Sequence, residues 1–220
     1  MNALDYTYPI FRDTYEGVDF IGNVFFVDDL FLTADHVLDS DDIISGSEPY
    51  IFVKGNKYLL QNKVKMCFKK ITWDNGQMYG HEDIESADIA AFTFNNLKIS
   101  SPLILSDTPP KYGESLHCDF YHTLTDENNK EQKGVLINSK SLYLWETVGL
   151  VLGEEGYCGN FFGATMTPKH PRGGSSGSPI CDGNIVYGIL HSGGEDLCGF
   201  YSSVHAHKLL CQYQPKQALI

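Results

Sequence analysis

Short apolar runs broken by glycine, asparagine, aspartate and proline recur along most of this chain. Apolar runs of about four to eight residues with turn residues beside them are typical of β-strands. Gly-Asn at 55–56 and Asp-Gly-Asn at 182–184 each separate two such runs, which is a hairpin pattern. This regular spacing predicts an all-β sandwich or barrel, with apolar runs at residues 19–27, 30–37, 50–60, 63–73, 87–94, 134–145, 178–194 and 198–204.

Helical periodicity is scarce and is clearest near the C-terminus, where residues 204–213 predict a short helix. A proline pair at 109–110 lies in a polar stretch, and we place a link between two halves of the chain near residues 105–112. The length of 220 residues fits one domain made of two halves that share a long interface.

The composition is that of a folded, acidic protein. Hydrophobic residues make up 42% of the chain, and the 13 Tyr and 13 Phe are enough for a core. The net charge of −12 argues against nucleic acid as a partner, because phosphate binding needs clustered Lys and Arg. No apolar stretch reaches about 18 residues, so no membrane partner is predicted. The N-terminal segment lacks the pattern of a signal peptide, which predicts a cytoplasmic location; a secreted mature form is the open alternative.

The cysteine count leaves two alternatives. An even number permits three disulfides, and six cysteines allow fifteen pairings. Without a leader, free thiols in a reducing compartment are the simpler interpretation. The cysteines are Cys67, Cys118, Cys158, Cys181, Cys198 and Cys211.

The segment Gly-Gly-Ser-Ser-Gly-Ser-Pro at 173–179 is the strongest chemical signal. Glycine lets the backbone approach a substrate and adopt positive φ. An oxyanion hole needs backbone N–H groups aimed at one point, and this turn offers the amides of Gly174 and Ser176. A flexible Gly/Ser loop is the alternative, but the apolar run that follows anchors the segment and favours a function.

Two further segments supply a base and an acid. His36 lies at the end of the apolar run Phe-Leu-Thr-Ala-Asp-His, where a rigid strand end can hold a general base. Asp88 opens the run Asp-Ile-Ala-Ala-Phe, and a buried carboxylate there needs a partner such as a histidine N–H. Asp83 is the alternative acid, but no apolar run follows it directly. His36, Asp88 and Ser176 together predict a catalytic triad in the chain order His, Asp, Ser.

At these residues the sequence resembles the trypsin-like serine proteases of the chymotrypsin fold. Leu-Thr-Ala-Asp-His, Ala-Asp-Ile-Ala-Ala-Phe and Gly-Gly-Ser-Ser-Gly-Ser-Pro are similar to the three catalytic blocks of that family. The runs at 185–194 and 198–204 resemble its last two strands. The resemblance covers about residues 18–212. Within the family, the sequence is most similar to three groups: HtrA-like proteases, glutamyl endopeptidases and viral chymotrypsin-like proteases.

The resemblance implies an all-β fold of two six-stranded antiparallel β-barrels with a short C-terminal helix. The single protease domain, 1–220, is expected to divide into barrels at about 15–108 and 112–205 and a helix at 204–213. The active site would lie between the barrels. Substrate would lie against a set of residues in the second barrel: His170, Gly173, His191, Ser192, Gly193 and Gly199.

Several departures from the family pattern bear on mechanism. Ser175 stands where many digestive members carry Asp, and there is no Ile-Val-Gly-Gly start, so we expect activity without amino-terminal processing. Asp35 stands where the family has Ala, and it would either raise the pKa of His36 or face solvent. Val37 replaces a cysteine, which supports reduced thiols. His170 stands where Asp would imply cleavage after Arg or Lys.

His191 has two possible roles. Some members of the family use a histidine in this strand to read an acidic or amide side chain. Here His191 lies one position later than that pattern, and side chains alternate along a strand, so the ring could point out of the pocket.

Metal and cofactor sites are not predicted. His205 and His207 do not share a helix face, and either one with Cys211 gives too few ligands for zinc. The acidic run Asp39, Asp41 and Asp42 is typical of a solvated loop. The sequence therefore predicts a serine endopeptidase that acts on protein or peptide substrates without a cofactor. The alternative is a catalytically silent protease-fold module used for binding; the oligomeric state is left open.

Overall fold

The computed structural model describes most of the chain. The described residues are 3–38, 47–60, 64–66, 70–74, 77–79, 89–94, 97–111, 114–125, 132–152, 155–167, 174–193, 197–204 and 206–207. Asp88, His170 and Gly173 therefore lie outside the described residues, as do Asp39, Asp41, Asp42, Asp83, His205 and Cys211.

The first sheet contains seven strands in the order β5-β4-β1-β2-β3-β9-β6. All of its pairings are antiparallel. The resemblance implied six strands, so this sheet has one more than expected. Its strands are β1 (Thr7–Thr14), β2 (Gly17–Val27), β3 (Leu30–Thr33), β4 (Tyr50–Val53), β5 (Asn56–Leu59), β6 (Val64–Met66) and β9 (Ile89–Phe92).

Two tight turns set the register of this sheet. Lys54 and Gly55 both have positive φ, and Val53 pairs with Asn56 across the turn. Positive φ at both central residues defines the two-residue turn that matches the twist of a hairpin. The hairpin predicted at Gly-Asn is thus present, but its central pair is Lys-Gly, since Asn56 already belongs to β5. Asp28 and Asp29 form the equivalent turn between β2 and β3.

The second sheet closes on itself. β16 pairs with both β13 and β15, so β15, β14, β11, β12, β13 and β16 form a ring of six antiparallel strands. β7 and β8 extend the sheet from β13, and β10 adds to β15 in parallel. The strands are β7 (Lys70–Asp74), β8 (Gln77–Tyr79), β10 (Ile104–Leu105), β11 (Ser115–Thr125), β12 (Gln132–Leu152), β13 (Glu155–Thr167), β14 (Pro179–Asp182), β15 (Ile185–Gly193) and β16 (Leu197–Ser202).

The hydrophobic core runs across both sheets. The larger buried cluster is centred on first-sheet residues such as Phe25, Phe31 and Ile10, and it includes Ile189 and Tyr201 from the second sheet. Fully burying one such side chain stabilises the fold by roughly 1.5–3 kcal/mol. A second cluster fills the closed ring: Leu116, Cys118, Phe120, Ile180, Leu190, Cys198 and Phe200. The two halves are therefore joined by apolar packing.

The predicted all-β fold of two antiparallel β-barrels is confirmed. Short 3₁₀ turns occur at Ala3–Tyr6 and Asp35–Val37. Residues 203–204 and 206–207 have helical backbone at the start of the predicted C-terminal helix, and residues from 208 onward lie outside the described residues. The domain boundaries stay a prediction. Among the described residues, no helix has both the length and the apolar character needed to span a membrane.

Candidate active site

His36 lies on a short turn that we call the histidine turn, residues 35–38. β3 ends at Thr33, and a three-residue 3₁₀ turn, Asp35–Val37, follows it. The amide of Leu38 donates to the carbonyl of Asp35 at 2.9 Å and closes the turn. Asp35 and Val37 are buried, whereas His36 between them is exposed. The turn thus buries Asp35 and Val37, which flank His36, and leaves the imidazole of His36 exposed.

The Arg12 side chain fixes the far end of the histidine turn. Arg12 lies in β1 and is 5% exposed, and its Nη2 donates to the carbonyl of Leu38 at 2.8 Å. Asp35 is also only 5% exposed. Of the two alternatives left open for Asp35, the one in which it faces solvent is therefore wrong, because the turn directs this carboxylate inward while His36 takes the outward position.

Ser176 lies on a tight loop that we call the serine loop, residues 174–178. The amide of Gly177 donates to the carbonyl of Leu190, and the amide of Leu190 donates to the carbonyl of Ser178, both at 2.8 Å. The Ser178 hydroxyl, fully buried, donates to the carbonyl of Ser175 at 2.7 Å. These bonds tie the loop to β15 and to itself, so the position of Ser176 is fixed at both ends.

Two glycines of the serine loop have positive φ. Gly174 has a φ of 87° and Gly177 a φ of 84°, which only glycine adopts without strain. A side chain at Gly177 would also overlap the carbonyl oxygen of Asn23 and the hydroxyl of Thr33. In the described part of the chain, the amides of Gly174 and Ser176 donate to no backbone carbonyl.

His191 lies between the histidine turn and the serine loop. Its ring meets the His36 ring edge to face, with centroids 4.9 Å apart, and meets the Tyr201 ring at 5.4 Å. Its carbonyl accepts the Ser176 hydroxyl at 3.0 Å. The strand explains this position, because Leu190 pairs with Phe200 and Ser192 pairs with Gly199, which leaves His191 as the extra residue of a bulge.

The other predicted site residues are distributed as follows. Ser192 and Gly193 end β15, and they pair with Gly199 and Cys198 of β16. Asp88, His170 and Gly173 lie outside the described residues. Ile89, the chain neighbour of Asp88, opens β9, and β9 pairs with β3, the strand that leads to His36.

Sequence reasoning missed Asn23, which contacts the serine loop. Its backbone amide donates to the carbonyl of Ser176 at 2.9 Å, and its side-chain Nδ2 donates to the carbonyl of Gly174 at 2.8 Å. Asn23 is fully buried. The available signal was a single amide side chain inside the apolar run Phe-Ile-Gly-Asn-Val-Phe-Phe.

The strands beside the serine loop carry groups whose pKa values are raised by burial. Burial raises the pKa of the Cys118 and Cys181 thiols, and burial raises the pKa of Asp119 while His117 lowers it. A thiol with a raised pKa is a poor nucleophile, because the thiolate is the reactive form. Among the described residues, no group of three or more His, Cys, Asp or Glu side chains is placed to hold a metal ion.

Comparison with known proteins identifies the fold. No family model matches the chain, and no curated protein matches it. The similar solved structures include neuropsin, a serine protease of mouse brain, with a TM-score of 0.64, 14% identity and coverage of 96% of this chain and 94% of that one. A protease from M. tuberculosis in its active form has a TM-score of 0.60 and 13% identity, over 95% of this chain and 81% of that one.

A third structure shows that the same fold occurs in a protein named for binding. A mutant of human heparin binding protein has a TM-score of 0.63 and 8% identity, over 94% of this chain and 90% of that one. At such identities the similarity shows the fold alone. The chain has the chymotrypsin fold of the trypsin-like serine proteases.

Proposed function

We propose that this protein is a serine endopeptidase in which Ser176 is the nucleophile, His36 the general base and Asp88 the group that orients the base. The observation that carries the proposal is the position of His191. One residue contacts the His36 ring with its side chain and accepts the Ser176 hydroxyl with its carbonyl. Because His36 and the Ser176 hydroxyl both contact His191, they lie in the same region of the fold. Nucleophilic catalysis requires the base and the hydroxyl to be close to each other.

Asp88 enters the proposal through its chain neighbour. In the sequence, Asp88 directly precedes Ile89, the first residue of β9. β9 pairs with β3, and Ala90 of β9 lies opposite Thr33 of β3. The histidine turn begins two residues after Thr33. This connection supports Asp88 as the carboxylate that accepts the imidazole Nδ1–H.

The reaction would follow from these positions. His36 takes the Ser176 proton, and Ser176 Oγ attacks the peptide carbonyl to form a tetrahedral intermediate. The amides of Gly174 and Ser176 donate to its oxyanion. His36 then gives the proton to the leaving amine, which leaves an acyl-enzyme that water hydrolyses by the same steps.

The substrate would be a protein or peptide chain that lies along the end of β15. His191, Ser192 and Gly193 would offer backbone groups to an extended peptide, as an added strand requires. Gly199, opposite Ser192, would border the pocket for the side chain before the cut, together with His170 and Gly173. Two of the similar structures are named as proteases, which supports this substrate class.

Activity without amino-terminal processing is part of the proposal. The serine loop contains only glycine and serine, so it offers no carboxylate to a freed amino terminus. Ser175 is 4% exposed, and its carbonyl accepts the Ser178 hydroxyl within the loop. Cys118 and Cys181 are free, buried thiols, which supports the reducing cytoplasmic location that the sequence predicts.

A peptide-library digest tests the proposed activity. The purified chain is incubated with a mixed peptide library, and new termini are identified by mass spectrometry, with Ser176→Ala as the control. We expect cleavage by the wild-type protein alone, with a preference at one position that reports the pocket. An intact, folded wild-type protein that cleaves no more than Ser176→Ala would contradict the proposal.

One observation favours a second candidate, a catalytically silent binding module. The Ser176 hydroxyl donates to the His191 carbonyl, so its proton must be redirected before His36 can take it. One similar structure is named for heparin binding. The net charge of −12 disfavours a polyanionic ligand here, so a silent module would bind a neutral or basic partner. Absence of cleavage together with a folded serine loop would support this candidate.

A further inference from the structure

Asn23 occupies a place where three parts of the molecule meet. It lies in β2 of the first sheet and is 0% exposed. Its contacts reach the serine loop, 151 residues away, and β11 of the second sheet, 98 residues away. A buried polar residue needs partners, and these partners belong to separate segments of the fold.

Every polar group of the Asn23 side chain is used. Nδ2 donates to the carbonyl of Tyr121 at 2.9 Å and to the carbonyl of Gly174 at 2.8 Å. Oδ1 accepts the Tyr121 amide at 2.9 Å. A backbone amide only donates and a carbonyl only accepts, so the chemistry of the partners fixes the orientation of the amide.

The backbone of Asn23 is equally committed. Its amide donates to the carbonyl of Ser176 at 2.9 Å, and its carbonyl accepts the Thr33 hydroxyl at 2.6 Å. Pro9 lies opposite Asn23 in β1 and has no amide to offer. The Asn23 carbonyl therefore has a donor in β3 instead of β1, and Asn23 holds the serine loop at both Gly174 and Ser176.

We propose that Asn23 is a positioning residue that fixes the serine loop against both sheets and so sets the reactivity of Ser176. This inference rests on the proposed function. Gly174 and Ser176 are the two residues whose amides would hold the oxyanion, and Asn23 binds the carbonyl of each. The bond to Ser176 comes from the backbone of Asn23, whereas the bond to Gly174 comes from its side chain. Losing the side-chain bond would free the Gly174 carbonyl and let the Gly174 amide drift from the target that it shares with the Ser176 amide. A misplacement of about 1 Å can cost about 10²-fold in rate.

The test uses an isosteric change. Asn23→Asp keeps an acceptor for the Tyr121 amide but turns a carboxylate oxygen toward the carbonyls of Tyr121 and Gly174. Asn23→Ala removes the side chain without adding charge. Asn184→Asp is the matched control, because exposed Asn184 donates from Nδ2 to the carbonyl of Pro102 at 3.0 Å, remote from the loop.

Two readouts are measured at a temperature well below the unfolding midpoint of each variant. The first is the second-order rate of labelling of Ser176 by a fluorophosphonate, with kcat and KM for a peptide substrate. We expect labelling and kcat to fall about 10²-fold in Asn23→Asp and Asn23→Ala, with KM changed less than about threefold. Asn184→Asp should match the wild type. Labelling of a folded Asn23 variant at the wild-type rate overturns the proposal.

The second readout does not need catalytic activity. Amide hydrogen exchange of the wild-type protein should show the Tyr121 amide, which donates to Asn23 Oδ1, protected to the same degree as the Gly177 amide. In Asn23→Ala, exchange of residues 174–178 should accelerate while β4 and β5 stay unchanged. A Tyr121 amide that exchanges like an open loop overturns the proposal. If the wild type is not labelled at all, the proposed function fails and exchange alone decides the role of Asn23.

Discussion

The serine loop and the histidine turn are built in opposite ways. Asn23, Leu190 and Ser178 hold the serine loop through bonds to the carbonyls or amides of its residues. The histidine turn is four residues long and exposes His36, with Arg12 bonded to the carbonyl of Leu38 at its far end. In the proposed mechanism Ser176 must meet two amides and a base, which requires one fixed position. The proposed base, His36, must move protons between partners, and the exposed turn is compatible with that role.

The largest expected effect comes from the histidine turn. If the proposed roles hold, His36→Ala should lower kcat by about 10⁶-fold, because Ser176 would lose its general base and the oxyanion amides alone could not replace it. The side chain is exposed, so the unfolding midpoint should change little. Peptide hydrolysis and thermal unfolding measured on the same preparation separate the two effects. Retention of more than about a hundredth of the wild-type kcat would remove His36 from the mechanism.

The serine loop should respond to a change that leaves its chemistry intact. In Gly177→Ala the new methyl would overlap the Asn23 carbonyl and the Thr33 hydroxyl, and φ is 84°. Gly55→Ala is the matched control, since Gly55 has a φ of 82° and a methyl group added there would have nothing within 4 Å. We expect Gly55→Ala to cost about 1 kcal/mol of unfolding free energy. Gly177→Ala should cost several times more and should lose activity. Equal costs in urea unfolding would show that the loop is not tightly packed.

Gly22 lies between the histidine turn and the serine loop, so a side chain added there would displace one of them relative to the other. A methyl group there would lie 2.5 Å from Val37 Cγ1 and 3.2 Å from the carbonyl oxygen of Ser176. The closer contact is on the histidine side, so Gly22→Ala should displace the histidine turn first and lower kcat by about 10-fold. Val37→Ala removes the clashing methyl groups, so the double variant should recover activity relative to Gly22→Ala. A double variant no better than Gly22→Ala would place the damage in the serine loop.

The smallest expected effect concerns the thiols in the strands beside the serine loop. Burial raises the pKa of Cys118 and Cys181, and their side chains are 0% and 2% exposed. Iodoacetamide at neutral pH should therefore spare both residues in the native protein and leave activity unchanged. Mass spectrometry of the native and the urea-denatured chain provides the comparison. Rapid native alkylation of either residue would mean that the interior beside the loop opens in solution.

The sequence predicted the parts that local pattern determines. Apolar runs and turn residues predicted many of the strands, although β1, β8, β10, β11 and β13 lie outside the predicted runs. Glycine next to serine indicated the loop that carries Ser176. The closure of the second sheet through β16 was not readable without the resemblance, because pairing between distant strands leaves no local mark.

The roles of Asn23 and His191 were out of reach for a related reason. Asn23 is defined by partners 98 and 151 residues away, and no spacing in its own run points to them. His191 reaches His36 because a bulge interrupts the alternation of side chains in β15. Strict alternation, which the sequence argument assumed, does not describe a bulged residue.

The most direct test of the central claim is covalent labelling of Ser176. The folded protein is incubated with a fluorophosphonate, and the modified residue is located by peptide mass spectrometry, with Ser176→Ala and His36→Ala alongside. We predict one adduct per chain, on Ser176, in the wild type, and none in either variant on the same time scale. A folded wild-type protein that carries no adduct, or carries it on another serine, would contradict the assignment of Ser176 as an activated nucleophile.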